Sequence, residues 1–241
     1  MSKDQLAKLN SADHALLRVS PKYGVETGDN VMTCLVFTTE MRTLQGTYPL
    51  LLQNIEGHSA PLPVALMGLE KDENLFLDDS DSGWSTATIP LMMQKGPFYI
   101  AKEQSSTGAT RNVIALDETH PKLSLESGER LFSDAGGYSN HLERIIGLLE
   151  NIEASHPHTL DFAAALSALN LITPLDFQCT LEDGSTHTLT GFFGIDEEGL
   201  QRLPDNTLGD LHQKGFLLPL FMMLASQSQV SRLLALKNGK L

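Results

Sequence analysis

Basic residues are scarce in this sequence. Its 241 residues contain 17 lysines and arginines against 30 acidic residues, which gives a net charge of −13 at pH 7. A field of that sign repels phosphate backbones and anionic lipid headgroups. No cluster of lysine and arginine interrupts the acidity, since the most basic stretch is the short tail at 237–240. These features argue against a nucleic-acid-binding protein.

Long apolar runs are also missing. The longest, FLLPLFMMLA at 216–225, has ten residues, whereas a membrane-spanning helix needs about 20. The first residues, MSKDQLAKLNSADH, are polar and contain no apolar segment of the kind found in secretory signals. We therefore expect a cytoplasmic protein with no membrane span.

Cysteine occurs only at positions 34 and 179, each within an apolar, strand-like stretch. Two cysteines in a chain with no export signal are typical of buried thiols rather than of a disulfide. Neither belongs to a CxxC pair, so a zinc or thioredoxin-type site is not supported. The sequence motifs GxSxG, GxxxxGK[ST] and GxGxxG are missing as well.

The hydrophobic pattern of the first half predicts strands. Short apolar or alternating runs, bounded by turn residues, are typical of β-structure. The predicted strands are VMTCLVF (31–37), YPLLLQN (48–54), LPVALMGL (62–69), ENLFLD (73–78), PFYIAKEQ (97–104) and RNVIALDE (111–118).

The second half is dominated by helical periodicity. SNHLERIIGLLENIEA (139–154) places Leu142, Ile145 and Leu149 on one face, and Ser139 is its predicted N-cap. A connection at HPH (156–158) and a second helix over 160–172 are expected to follow. The run 174–195 then predicts a hairpin around Asp183–Gly184, the residue pair that tight primed turns favour.

This segregation of strands and helices predicts an α+β fold. We expect a mixed, mostly antiparallel sheet from the first half plus the late hairpin, packed by helices concentrated in the C-terminal half. The expected organisation is a single domain over 1–241. A division near 120–137 stays open, with a strand-rich part at 1–122 and a helical part at 138–241 that carries the hairpin 174–195.

Histidine and acidic residues raise the question of a metal site. His141 and Glu143 resemble the first two ligands of a non-haem iron triad, with His187 as a distant third. That triad needs its first two ligands on a strand, and here positions i and i+2 of a helix diverge by about 200°. We therefore predict no metal and no cofactor. A metal site formed by these three residues is the alternative.

The acidic stretch DENLFLDDSDSGWSTATIP (72–90) invites a calcium interpretation. Counted from Asp78, the glycine at position six of a calcium loop is present as Gly83, but position twelve is Ile89. The closing bidentate carboxylate is therefore missing. A solvated turn that precedes Trp84 is the preferred interpretation.

Several short motifs in this order resemble the SapC family. They are YPLLL (48–52), VALMGLEKDENLFLD (64–78), GW…IP (83–90), GPF (96–98), LF…G (131–136) and LTGFFGIDEEGLQRL (189–203). The resemblance extends from about His14 to Leu236. It departs at Thr88, where the family usually has an aromatic residue, and at Gly96, where it usually has a basic or aromatic one.

The resemblance implies a function only in outline. The family takes its name from a gene in a bacterial surface-layer export cluster, and it supplies no set of catalytic residues. Our first hypothesis is a non-catalytic accessory or binding protein for a peptide or protein partner. The alternative is a metal- or oxygen-dependent modifying enzyme, whose histidine and carboxylate groups would be assembled by folding.

The predicted binding residues lie within the shared motifs: Trp84, Tyr48, Asp78, Pro90 and Phe98. Trp84 is the only tryptophan, and an exposed tryptophan is an effective interface anchor. A buried core aromatic with its N–H satisfied is the alternative for the same residue.

Overall fold

The computed structural model describes residues 6–104, 108 and 110–239, and that part of the chain forms eleven strands and seven helices. The strands are β1 (Leu6–Lys8), β2 (Arg18–Val19), β3 (Thr33–Leu35), β4 (Leu50–Gln53), β5 (Leu62–Leu66), β6 (Phe98–Gln104), β7 (Thr110–Asp117), β8 (Leu123–Ser124), β9 (Glu129–Arg130), β10 (Ile172–Thr180) and β11 (Thr186–Ile195). The helices are α1 (Met41–Leu44), α2 (Leu91–Gln94), α3 (Asn140–Ala168), α4 (Glu197–Gln201), α5 (Asp205–Gln213), α6 (Leu217–Ser226) and α7 (Gln229–Gly239). The fold is α+β, as predicted. Within the described ranges, no helix combines the length and hydropathy that a membrane span requires.

The chain divides into two compact units, each built from segments that are distant in sequence. Unit 1 consists of the described residues of Met1–Asp29, Leu77–Ser85 and Leu91–Ala154. Unit 2 consists of the described residues of Asn30–Phe76, Thr86–Pro90 and Ser155–Leu241. The expectation of one domain, or of a division near 120–137, stays a prediction.

Unit 1 packs two small antiparallel sheets against the first part of α3. The strand orders are β1–β7–β6 and β8–β2–β9. Leu142, Ile145 and Leu149 of α3 are buried with Val19 of β2 and Phe98 of β6. This is the helix face that the sequence predicted, and burying each of its leucines and isoleucines contributes roughly 1.5–3 kcal/mol. The Ser139 hydroxyl accepts from the amide of Leu142, 3.2 Å away, as an N-cap does.

Unit 2 contains a five-stranded antiparallel sheet with the order β10–β11–β4–β5–β3. Every residue of β5 is buried, which explains its unbroken apolar sequence. Ser226 links α6 to the sheet, because its hydroxyl accepts from the amide of Leu50 at 2.9 Å and donates to the carbonyl of Met223. The helical C-terminal segment is thereby hydrogen-bonded to the buried sheet.

The predicted hairpin at the end of this sheet is confirmed. β10 and β11 pair antiparallel around Asp183–Gly184, and Gly184 has a φ of +85°, which a glycine adopts at little cost. β11 then pairs with β4, so the late hairpin joins strands from the first half of the chain. Both cysteines of the chain are buried free thiols in this unit, as expected.

The strand predicted over 73–78 is wrong. Within this segment only Leu77 forms a β-bridge, an isolated antiparallel one with Trp84. The Asn74 side chain accepts from the amide of Phe76 at 3.0 Å, which folds the backbone locally and replaces a strand ladder. The apolar alternation of this segment reflects burial in a turn-rich region rather than in a sheet.

The connection predicted at 156–158 is also wrong, because α3 continues through Pro157. A proline inside a helix removes one backbone hydrogen bond and costs about 3 kcal/mol or more. Hydrogen bonds from outside the helix offset that cost: the Thr38 hydroxyl lies 2.7 Å from Nδ1 of His158, and the Thr39 hydroxyl lies 2.8 Å from that of Ser155. Tertiary contacts thus override the local signal for a helix end.

The glycine before Trp84 should be the most sensitive to substitution. Gly83 has a φ of +74°, and a Cβ there would overlap the carbonyl oxygen of Tyr23. We expect Gly83→Ala to destabilise unit 1 by well over the roughly 1–2 kcal/mol that a left-handed alanine costs by itself. Gly136→Ala is the matched control, since Gly136 has a φ of +81° and no atom within 4 Å of its Cβ position. Urea unfolding of both variants measures the difference, and equal losses would contradict the steric argument.

Candidate functional site

A cleft of about 450 Å³ lies within unit 1. Its walls come from β2, from the connection between α2 and β6, from β9 and from the first turns of α3. Apolar side chains form part of the lining: Val19, Phe98, Ile145 and Leu148. Charged side chains form another part: Lys95, Lys122, Glu129 and Arg144. The volume lies within the range of about 300–1,000 Å³ that is usual for ligand pockets.

The connection between α2 and β6 brings Lys95 and Phe98 to the cleft. The amide of Lys95 bonds to the carbonyl of Leu91 and closes the helical turn, and the amide of Phe98 then donates to the carbonyl of Lys95. Gly96 makes the bend with a φ of +53°, and its Cβ position lies 3.9 Å from Cδ of Lys122. A residue without a side chain therefore occupies the wall beside this lysine.

Lys122 forms a buried ion pair. Its Nζ lies 3.0 Å from Oδ1 of Asp29, and the two side chains are 5% and 6% exposed. The same ammonium lies 3.8 Å from the centre of the Tyr23 ring, a cation–π contact. Burial lowers the pKa of Lys122, and the charge of Asp29 opposes that shift. An ammonium carries three N–H donors, and the pair with Asp29 uses one.

Lys95 is the second buried lysine of the cleft, with 8% exposure. Its Nζ donates to the carbonyl of Gly96 at 3.1 Å and lies 3.6 Å from the centre of the Tyr99 ring. Both contacts stabilise the positive charge of this ammonium. Two buried lysines thus belong to the lining of one cleft.

His141 lies in the first turn of α3 and is held by Glu129. Its Nδ1 lies 2.5 Å from Oε2 of Glu129, which also accepts from the Arg144 guanidinium at 3.2 Å. Since a carboxylate only accepts, the Nδ1 of a neutral His141 carries the proton and its Nε2 has the free lone pair. Burial lowers the pKa of His141, and the charge of Glu129 partly opposes this. The neutral form is therefore the one present at pH 7.

The Nε2 atom of His141 has an unusual environment. Among the described residues, this atom is a buried side-chain nitrogen that makes no hydrogen bond within the protein. Such a group costs about 1–3 kcal/mol compared with its hydrated state.

The cleft lining combines charges of both signs. Among the described residues it contains the cations Lys95, Lys122 and Arg144, while Glu129 in the lining and Asp29 in contact with Lys122 supply two carboxylates, so these five groups sum to +1. Apolar side chains lie beside these charges. The arrangement suits a ligand that combines an anionic group with an apolar part.

Three of the five predicted binding residues lie in unit 1. Phe98 lines the cleft directly. Trp84 is buried, with 3% exposure, and its ring packs edge-on against Tyr23 at 5.1 Å between centroids. Since Tyr23 lines the cleft, Trp84 supports its wall from behind. Asp78 lies in the adjacent turn, where its Oδ1 accepts from the amide and the hydroxyl of Ser80.

The other two predicted binding residues lie in unit 2. The Tyr48 ring is fully buried against Phe76, and its hydroxyl donates to the carbonyl of Thr88 at 2.5 Å. Pro90 is buried at the end of the same segment. The structure therefore does not bring the five residues into one group, and their role in binding stays a prediction.

The alternative metal ligands are also distributed over both units. His141 and Glu143 lie in unit 1, where Glu143 is exposed, and His187 lies in unit 2, where its Nδ1 is 3.2 Å from Oε1 of Glu70. Over the described residues, no group of three or more histidine, cysteine and acidic side chains has the geometry to hold a metal ion.

Sequence reasoning missed most of the charged groups of the cleft. Lys95, Lys122 and Glu129 fall in segments that read as turns, and a single charged residue in a turn is normally solvated. Only the position of Lys95 directly before the GPF motif at 96–98 offered a signal. The tertiary fold, not a local pattern, makes these side chains buried neighbours of one cavity.

The SapC family model matches residues 9–233, which is nearly the whole chain. The chain therefore belongs to the SapC family, as its motifs indicated. No curated protein and no solved structure matches the sequence.

Removal of Lys122 should be costly because its partner is buried. We expect Lys122→Met to lower the free energy of unfolding by about 3–5 kcal/mol, since Asp29 would remain as a buried charge. The double variant with Asp29→Asn should recover part of that loss. Lys8→Met is the control: its pair with Glu103 lies at the surface, and we expect a much smaller loss of stability. Urea unfolding that shows equal losses for Lys122→Met and Lys8→Met would refute this assignment.

His141 should make stability depend on pH. Its pKa is lowered in the folded protein, so the unfolded chain takes up a proton first as the pH falls through the ordinary histidine value of about 6.5. The stability of the wild type should therefore decrease as the pH falls below that value and level off below the lowered pKa. Melting temperatures of the wild type and of His141→Gln across this range isolate the effect, because other titrating groups are common to both. If the melting temperatures of the wild type and of His141→Gln change in parallel with pH, His141 does not contribute this pH dependence.

Proposed function

We propose that this SapC-family protein is a non-catalytic binding protein that holds the negatively charged group of a peptide or protein partner in the unit 1 cleft. The observation that carries the proposal is the pair of buried lysines, Lys95 and Lys122, in the lining of one cavity. The family resemblance to a surface-layer export component makes a polypeptide passing to the cell surface the favoured class of partner.

The buried charges support binding because they are expensive to keep. An ammonium taken out of water loses hydration that only paired or hydrogen-bonded surroundings replace. The carboxylate of Asp29 and the Tyr23 ring meet part of this requirement for Lys122. The Tyr99 ring and the carbonyl of Gly96 meet part of it for Lys95. An anion in the cleft would be attracted by both ammonium groups, and the attraction is stronger in a partly buried site than in water.

The overall acidity of the chain gives the cleft selectivity. A surface with an excess of acids repels anionic partners in general. An anionic group would therefore be stabilised at the cationic cleft and disfavoured over most of the remaining surface. The affinity for such a partner depends on the charge and shape of the cleft, and not on the net charge of the protein.

A modifying enzyme is the second candidate, because folding brings a carboxylate into contact with a histidine. Glu129 holds Nδ1 of His141 and leaves Nε2 with its lone pair, which is the arrangement of a general base and also of a carboxylate-oriented metal ligand. Near-stoichiometric iron or zinc in protein purified without a histidine tag, lost in His141→Ala, would favour this candidate over the binding protein.

Short peptides of equal length test the binding proposal. The probes are acetyl-Ala-Ala-Phe with a free carboxylate, the same peptide as its C-terminal amide, and acetyl-Asp-Ala-Phe amide. We expect at least one carboxylate peptide to bind more tightly than the neutral amide in isothermal titration calorimetry. Added salt should weaken that binding, since part of it is electrostatic.

Variants locate the binding. Lys95→Gln should weaken the carboxylate peptide about tenfold, because a hydrogen bond to a charged group is lost. Arg144→Gln offers a second test at an exposed position where folding is not at risk. Lys102→Gln is the matched control, since Lys102 is exposed on β6 and does not line the cleft. Equal binding of the neutral and charged peptides would refute the proposal.

A further inference from the structure

We propose that unit 1 binds an extended segment of a partner polypeptide as an added β-strand, along residues 111–113 of β7 on the side away from β6. We call this stretch the open edge. The added strand runs antiparallel to β7, with an apolar residue facing Asn112 and an acidic residue on either side of it. Among the described residues, the open edge and the cleft share no lining residue, so this binding is independent of the proposed function.

The open edge exists because β7 is longer than one of its two neighbours. β6 pairs with β7 along 110–116, whereas β1 covers only 115–117 on the other side. β1 ends where Oδ1 of Asn10 accepts from the amides of Ala12 and Asp13, each at 3.0 Å, and turns the chain. In the described part of the chain, no further strand pairs with β7. The open edge is therefore an unpaired strand edge, which is a template for another strand.

The backbone groups of Asn112 point out of the sheet at the open edge. The amide of Leu9 donates to the carbonyl of Ile114 at 2.9 Å, whereas the amide of Asp117 donates to the carbonyl of Pro97, before β6, at 3.0 Å. Neighbouring residues of a strand direct their N–H and C=O to alternate sides, and the β6–β7 register is regular here. Asn112 lies two residues from Ile114 and so points to the same side. One residue of an antiparallel strand would bond to both its N–H and its C=O.

A groove of about 380 Å³ lies along the open edge. The residue that faces Asn112 would direct its side chain to the α3 side of the sheet, where Nδ2 of Asn112 donates to Oε2 of Glu153 at 2.7 Å. Tyr138, which is 55% exposed, lines the groove. Partly buried apolar side chains from the two sheet neighbours, from β7 and from α3 complete the apolar lining: Leu9, Ile100, Ile114 and Ile146. This surface suits an apolar side chain.

The other face of the sheet is cationic at the open edge. Lys8 and Arg111 share the carboxylate of Glu103, at 2.6 and 2.5 Å, so these three side chains sum to +1. The residues of the added strand that face Arg111 and Val113 would direct their side chains to this face. Acidic residues suit both positions, because cross-strand pairs of opposite charge stabilise a sheet. Glu150 lines the groove on the α3 side and would repel an acid there.

A second copy of the chain suits the open edge less well than a separate peptide. Two β7 strands that paired antiparallel about Asn112 would each bring Ile114 into the shared ladder. The carbonyl of Ile114 is already bonded to the amide of Leu9, so the ladder would be limited to three residues on each strand. An extended peptide brings no flanking strand of its own, and strand addition is an established mode of peptide recognition.

Backbone methylation of a short peptide tests strand addition in the wild-type protein. The probe is acetyl-Thr-Glu-Ile-Glu-Thr amide, and its affinity is measured by NMR titration. N-methylation of the isoleucine removes the N–H that donates to Asn112, and we expect about tenfold weaker binding or more. N-methylation of the second glutamate is the matched control, because that N–H points away from β7, and we expect a change of less than about threefold. Acetyl-Thr-Lys-Ile-Lys-Thr amide should bind more weakly than the glutamate peptide.

Hydrogen exchange and two variants locate the binding at Asn112. The glutamate peptide should slow the exchange of the Asn112 amide, while the amides of Arg111 and Val113, which face β6, should change less. Asn112→Pro lacks the outward N–H, and a proline is tolerated on a strand edge. Asn112→Ala keeps that N–H and loses the same side-chain bond to Glu153. We expect Asn112→Pro to bind the peptide about tenfold more weakly than Asn112→Ala. The measurements on the wild type stand even if the proline variant does not fold.

Four results would overturn the inference: no binding of the glutamate peptide, equal effects of the two N-methyl groups, unchanged exchange of the Asn112 amide, or tighter binding of the lysine peptide. Slow exchange of Asn112 without peptide, in a protein that sediments as a dimer, would also overturn it and assign the open edge to a second copy. The probes differ from those of the cleft, so a failure of carboxylate binding in the cleft would leave this inference intact.

Discussion

The ion pair between Lys122 and Asp29 organises the part of the molecule that forms the cleft. Asp29 also accepts from the amide of Gly24 and from the hydroxyl of Thr27, so its carboxylate closes the loop that precedes it. That loop presents Tyr23, whose ring lies under the ammonium of Lys122. A single buried carboxylate thus fixes the loop, the aromatic wall and the position of one cation. Without it, the other contacts of this wall would have no common anchor.

The sequence predicted those features of the fold that depend on local patterns. The Asp183–Gly184 turn and the apolar face of α3 were predicted because both follow from residues within one element. The strand at 73–78 failed because the Asn74 side chain competes with a ladder. The helix end at Pro157 failed because its stabilising partners come from more than a hundred residues away.

The site was less predictable than the fold for the same reason. Phe98 was found through a motif, whereas Lys122 and Glu129 lie in loops whose burial depends on distant segments. Trp84 was the most conspicuous residue of the sequence, and the structure buries it against Tyr23. Its prominence in the sequence reflects packing beside the cleft, while the charged groups that line the cleft are unremarkable in sequence.

The same histidine separates the two functional hypotheses. A carboxylate on Nδ1 and a bare Nε2 would serve a base, a metal ligand or a hydrogen-bond acceptor equally well. Cationic and apolar side chains line the cleft together with His141. These surroundings favour the binding hypothesis over the enzyme hypothesis, since they suit an anionic ligand with an apolar part.

The lack of a side chain at Gly96 affects the volume of the cleft and not its charge. The family usually has a basic or aromatic residue at this position, and any side chain there would project beside Lys122. In this chain, a side chain at position 96 would occupy space beside Lys122 and leave the other lining residues unchanged. A single backbone position can therefore alter the volume of the cavity separately from its charges.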